Sequence, residues 1–202
     1  MSRRCYYICL FMLLTVQVMA QRAERLSCEQ RFYPEGIDVV HPRLSWRIVG
    51  GWKNLRQTAY QVLVASSAEK LAAAKGDLWN SGKVRSDQSW LVPYAGAALK
   101  SRNECYWKVK VWTTEGVSQW SDPSWWTMGL LERGDWKAKW IGYERGFPWD
   151  SISKFSRLSA RYFRKRFGIN GKPRSAVLYI AGLGHYGLTV NGIPIGNQVL
   201  AQ

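Results

Sequence analysis

The chain holds only two histidines, four cysteines with no Cys-x-x-Cys spacing, and no aspartate or glutamate after Asp150. Each shortage excludes a chemistry. A tetrahedral zinc site draws on clustered His and Cys, and His41, His185 and the scattered cysteines form no such set. A nucleophilic serine or cysteine needs a base beside it. His41 precedes Pro42 at a strand entrance, His185 lies in a glycine-rich break, and neither accompanies a nucleophile motif. Gly182-Leu183-Gly184 lacks the following helix that makes a phosphate loop an anion site. The 14 carboxylates fall mostly in turns, as at Asp77, Asp87, Glu115, Asp122 and Asp135, and no pair flanks an evident aromatic cleft. Asp38 and Asp122 read as turn formers. No catalytic, cofactor-binding or metal-ligating residue is therefore assigned from the sequence.

Long helical periodicity is also missing, and no apolar run of about 20 residues follows the amino terminus, so a membrane-spanning helix has no candidate there. The first 20 residues read as an export signal. Arg3 and Arg4 precede an apolar run from Ile8 to Val16, and the small-residue positions Val18 and Ala20 end before Gln21. Cleavage after Ala20 predicts a periplasmic or extracellular protein with no remaining membrane segment. Charge is lopsided, with 29 Lys and Arg giving a formal net charge of +15. Lys154, Arg157, Arg161, Arg164, Lys165, Arg166, Lys172 and Arg174 follow the last carboxylate. Such a run is able to contact a polyanion, but for an exported protein solvated strand faces are the simpler reading, and nucleic acid is not an expected partner. Signal removal leaves Cys28 and Cys105. The compartment permits a disulfide between them, while Cys105, two residues before Trp107 on an apolar face, packs equally well as a free thiol.

What the chain does have is strand patterning. In Gly36 to Val49, Leu44, Trp46 and Ile48 alternate with Ser45 and Arg47, the period of two that a half-buried strand requires. Gly50-Gly51 breaks the chain, and Tyr60, Val62 and Val64 then share one face. Ser67 to Gly76 is alanine-rich and predicts a short crossing helix. A strand near Ser89 to Val92 follows. Cys105, Trp107, Val109 and Val111 next alternate with Lys108 and Lys110, and a last strand runs near Ser124 to Met128. Six or seven short strands in about 100 residues predict an immunoglobulin-like sandwich over residues 29–131. Most of the 12 tryptophans sit where core or interdomain packing expects them. Trp112, outward beside Lys108 and Lys110, is placed to stack with those cations.

Residues 132–152 read as a linker containing Gly134, Gly142, Gly146 and Pro148. A second β unit, residues 153–202, opens with Ala160 to Phe167, in which Tyr162, Arg164 and Arg166 alternate with Phe163, Lys165 and Phe167. It continues to an Asn191-Gly192 hairpin turn. The ordered set Gly36–Val49, Tyr106–Trp112, Ser118–Leu130, the Tyr162-Phe163-Arg164-Lys165 strand and the Gly184 to Gly192 run resembles the amino-terminal region of bacterial α-L-rhamnosidases (glycoside hydrolase family 78). Those are inverting enzymes several times longer than this chain.

The resemblance implies an all-β chain: a fibronectin-III/immunoglobulin-like sandwich followed by the opening strands of a jelly-roll-like β domain, stopping before the catalytic α/α barrel. It implies that rhamnosides are the carbohydrate partner of the full-length enzyme, that calcium belongs to a complete second domain, and that this chain alone is inactive. Inverting glycosidases need two carboxyl groups roughly 6.5–9.5 Å apart, and the resemblance places that pair in the barrel. The competing readings are a stand-alone carbohydrate-binding or adhesion module, in which the tryptophans carry the function, and a polyanion binder resting on charge alone.

Overall fold

The computed structural model describes residues 21–51, 53–143, 147–150, 159–173 and 175–196. The expected export leader, residues 1–20, lies outside the described residues. The chain runs through strands Arg22–Cys28 (β1), Arg43–Val49 (β2) and Gln57–Ala65 (β3), then a short helix, Ala68–Ala72 (α1). Strands Trp79–Asn80 (β4), Val92–Pro93 (β5), Glu104–Thr113 (β6), Gly116–Val117 (β7) and Ser124–Thr127 (β8) follow, and a 3-10 turn lies at Arg133–Asp135. A second unit, from Ile141 onward, holds Leu188–Val190 (β9) and Ile193–Ile195 (β10).

The first unit is an all-β, immunoglobulin-like sandwich. One sheet has the order β1-β2-β5, the other β4-β3-β6-β7 with β8 also paired to β6. Along β6, Cys105, Trp107, Val109 and Val111 are fully buried, while Tyr106, Lys108, Lys110 and Trp112 face outward. Leu44 and Trp46 of β2 and Val62 and Val64 of β3 join them in one core. Edge-to-face rings fill its centre, with Trp46 5.2 Å from Tyr60 and Trp107 6.5 Å from Trp126. The polar handles of these rings are mostly satisfied. Trp46 Nε1 donates to Gln57 Oε1 at 2.9 Å, and the Tyr94 hydroxyl donates to the Ala97 carbonyl at 2.8 Å. Trp107 Nε1 finds no acceptor among the described residues, so this ring is in place for its volume.

The edge of β6 is closed by two serines. After β7 the chain runs alongside β6, and Ser118 and Ser121 donate their N–H groups to the carbonyls of Val111 and Val109, both at 2.8 Å. Their hydroxyls in turn accept the N–H groups of Val111 and Val109, at 2.9 and 3.0 Å. Spaced three apart, the hydroxyls stand in for the carbonyls of a strand. An edge that would otherwise offer free ladder groups is thereby blocked.

β1, ahead of residue 29, had no sequence signal. Its register shifts between Glu24 and Ser27, and Arg25 adopts a positive φ of 53°. That bulge breaks the alternation by which a strand is recognised. At the β3–α1 corner the Ser67 hydroxyl caps α1, accepting from the Lys70 N–H at 3.3 Å. Leu71 packs on Leu63 and Ala65. Gly76 ends the crossing because a Cβ there would lie 2.5 Å from the Trp79 carbonyl oxygen. Asp77 accepts from the Ser66 N–H at 2.9 Å and from Lys70 Nζ at 2.7 Å.

In the second unit β9 and β10 form an antiparallel hairpin, with Asn191 and Gly192 at φ of 52° and 83° in its turn. Two positive φ values in a two-residue loop are what Asn-Gly accommodates. The strand expected over 162–167 belongs to no sheet among the described residues, and Tyr162, Phe163 and Phe167 are exposed. Alternation creates a face, but a strand also needs a partner for its backbone groups.

Trp107→Ala should cost about 3–5 kcal/mol, the range for truncating a buried aromatic residue. Lys110→Ala, on the outward face, should change stability by less than about 0.5 kcal/mol. Denaturant melts showing equal losses would reverse the assignment of the two faces. The Asp77 carboxyl is pushed up by burial, but hydrogen bonds from Lys70 and Ser66 outweigh this and hold it at about 2. A lowered carboxyl contributes stability above its unfolded value near 3.9 and loses it as pH falls through the folded value. Asp77→Asn should therefore melt below the parent protein at pH 7, and the gap should close as the pH approaches 2. A gap unchanged at pH 2.5 would show that packing, not this charge, holds the corner.

Candidate functional site

Acid–base chemistry needs carboxylates free to exchange protons, and the better-buried ones here are engaged. Glu29 receives Arg43 Nη2 at 2.6 Å and the Arg43 N–H at 2.6 Å, and the side-chain bond from Arg43 holds its carboxyl below the usual range. Asp135 accepts from the Ser101 hydroxyl, which lowers its carboxyl, and from the Glu132 N–H at 3.2 Å. Ser101 in turn accepts the Leu131 N–H at 2.7 Å, tying the end of the sandwich back to the loop before β6. Asp150, with its side chain 2% exposed, accepts from the Phe147 N–H at 2.8 Å, Ser159 Oγ at 2.6 Å and Arg161 Nη2 at 2.8 Å. These bonds, the Phe147 one foremost, hold its carboxyl far below the ordinary range. All three act as structural acceptors.

A hollow of about 620 Å³ lies between β1 and the 119–122 segment and is lined by Gln21, Arg22, Glu24, Trp120 and Asp122 among others. Two carboxylates border it, but Glu24 is ion-paired with Arg22. His41 Nδ1 sits 3.3 Å from the Tyr94 carbonyl oxygen, a strand-entrance contact, and His185 is exposed. Among the described residues no three His, Cys, Asp or Glu side chains come together as metal ligands. Calcium takes six to eight oxygens, many of them carboxylate. With Asp150 fully hydrogen-bonded and no carboxylate after it, the described residues of the second unit do not fit that ion. Cys28 and Cys105 are free, buried thiols. Burial pushes both up, Cys105 to about 12, which keeps them protonated and unreactive.

The outward face of β3 and β6 is the most distinctive surface. Lys110 Nζ lies 5.7 Å and Lys83 Nζ 4.6 Å from the Trp112 ring centre. Lys108, expected beside Trp112, instead covers Trp120 at 5.2 Å. The serine-pinned segment carries Trp120 back alongside β6, a placement that strand alternation does not reveal. Trp46, Trp107 and Trp126 are core residues as expected, while Trp125 is half-buried against Tyr33, 5.8 Å away.

Comparison with known proteins fits this architecture. Residues 23–132 match the family described as the Rha78A-like, N-terminal immunoglobulin domain, and residues 171–202 match the α-L-rhamnosidase N-terminal domain. An α-L-rhamnosidase of Streptomyces avermitilis is 38% identical over 196 residues, covering 90% of this chain and 19% of that protein. One from Formosa agariphila is 38% identical over 183 residues, covering 83% of this chain and 19% of its own length. The crystal structure of the Streptomyces avermitilis enzyme complexed with L-rhamnose superposes with a TM-score of 0.58 at 50% identity, over 61% of this chain and 12% of that one. The α-L-rhamnosidase from Dictyoglumus thermophilum superposes with a TM-score of 0.58 at 37% identity, over 60% of this chain and 14% of that one. The chain thus spans about a fifth of the length of the curated relatives it matches. With over half its length accounted for by the immunoglobulin-domain model and the later part of its second unit by the α-L-rhamnosidase N-terminal domain model, the chain belongs to the α-L-rhamnosidase family, whose amino-terminal region it matches.

Proposed function

We propose that this chain is the non-catalytic accessory region of an exported α-L-rhamnosidase, an enzyme that removes terminal α-L-rhamnose from glycosides or polysaccharides. The observation that carries the reading is the confinement of the match to the amino-terminal fifth of enzymes so named. The disposition of the carboxylates supports it. Hydrolysis with inversion needs one carboxyl group to protonate the leaving oxygen and another to activate water across a cleft, whereas Glu29, Asp77, Asp135 and Asp150 are each spent on neighbouring N–H, hydroxyl or cationic groups. In this reading the bond-breaking pair comes from another domain of the enzyme, and the sandwich serves as a rigid support beside it. Export rests on the charged, apolar and small-residue pattern of the first 20 residues.

Purified chain should show no turnover of an aryl α-L-rhamnoside, and hydrolysis above a no-enzyme control would overturn the accessory role. Expressed in a bacterial host, it should be recovered outside the cytoplasm with an intact mass beginning at Gln21. Retention of Met1 to Ala20 in the recovered product would remove the case for export.

A further inference from the structure

The outward face of β6 holds Lys108 and Lys110, and Lys83 reaches the Trp112 ring from the loop after β4; among the described residues these three lysines take part in none of the salt bridges. Directly across the strand pair, Lys110 faces Gln61 and Lys108 faces Leu63, so no carboxylate opposes either. Alternate residues on a strand lie roughly 7 Å apart, which sets Lys108 and Lys110 as a fixed pair of charges. Their mobility is curtailed as well, because each ammonium rests over an indole, Lys110 on Trp112 and Lys108 on Trp120. Beside them Gln61 Nε2 donates to Asn80 Oδ1 at 2.9 Å, which holds the two amides side by side.

From this we infer a second role for the sandwich: the outward face of β3 and β6 binds an acidic saccharide, a sugar chain bearing carboxylate or sulfate groups. The lysines meet the anionic groups, and the Gln61 and Asn80 amides meet hydroxyls. Burial pushes the Lys108 amine down, so its charge is held at a cost that a bound anion offsets. Binding of single-stranded nucleic acid relies on free aromatic faces for base stacking, whereas the Trp112 ring already carries two ammonium groups. The surface itself rests on geometry alone. Only the choice of a saccharide over other polyanions rests on the rhamnosidase reading.

The test is affinity electrophoresis of the full chain through gels containing polygalacturonate or the neutral polymer dextran, with a single-stranded oligodeoxynucleotide as competitor, at low ionic strength where charge contacts are least screened. Polygalacturonate should retard the chain and dextran should not. Lys108→Gln/Lys110→Gln should weaken retardation about tenfold, the equivalent of one charge-assisted hydrogen bond lost. The triple variant Arg164→Gln/Lys165→Gln/Arg166→Gln should bind as the parent does, and thermal melts should report all variants folded. The inference is overturned by absent retardation, by undiminished binding of the double variant, by loss that follows residues 164–166 instead, or by an oligonucleotide that displaces the polymer at equal charge. Turnover of an aryl rhamnoside by the chain would refute the accessory role and leave this binding result unaffected.

Discussion

The first unit depends on β6 being paired along both edges while its alternate side chains fill the space between two sheets. One edge carries the ladder to β3, and the other is shared by β7, β8 and the hydroxyls of Ser118 and Ser121. Buried backbone groups left without partners are costly, so a strand at the centre of a sandwich must be satisfied on both sides before its apolar face contributes fully. Once that is met, Trp107, Val109 and Val111 are withdrawn from water against Leu44, Trp46 and Trp126. The tryptophan-rich sequence thereby becomes a core of edge-to-face rings.

The same pairing decides what is left for function. Because β6 alternates, burying Trp107 obliges Lys108 and Lys110 to face outward, and the serine-pinned segment carries Trp120 over the first of them. Meanwhile carboxylates elsewhere are drawn into local ties: Asp77 holds the β3–α1 corner, Asp135 the end of the sandwich and Asp150 a bend in the second unit. Acids are consumed in structure, while Lys108 and Lys110 are displayed on a face. This division of labour supports the accessory reading and underlies the proposed anion-binding face.

The second unit shows where an alternating pattern stops being enough. Residues 162–167 have the rhythm of a strand, yet they lie outside any sheet among the described residues, because a ladder requires a second strand in register. The β9–β10 hairpin forms because its partner is two residues away and Asn191-Gly192 accepts the turn's positive φ values. Among the described residues of the second unit, pairing is found where it is local.

Much was therefore legible in residue order alone. Alternation in Leu44 to Ile48 and Cys105 to Val111 marked two strands and their buried faces, Asn191-Gly192 marked a turn, and the succession of these segments pointed to the family. Those features depend on neighbours two residues apart, so sequence carries them. β1 was hidden because a bulge at Arg25 interrupts its alternation. The Ser118 and Ser121 acceptors, the partner of each lysine and the free state of Cys28 and Cys105 were decided only in the folded chain. Each of these requires groups distant in sequence to meet at hydrogen-bonding or stacking distance, and only the packing of one sheet on the other brings them there.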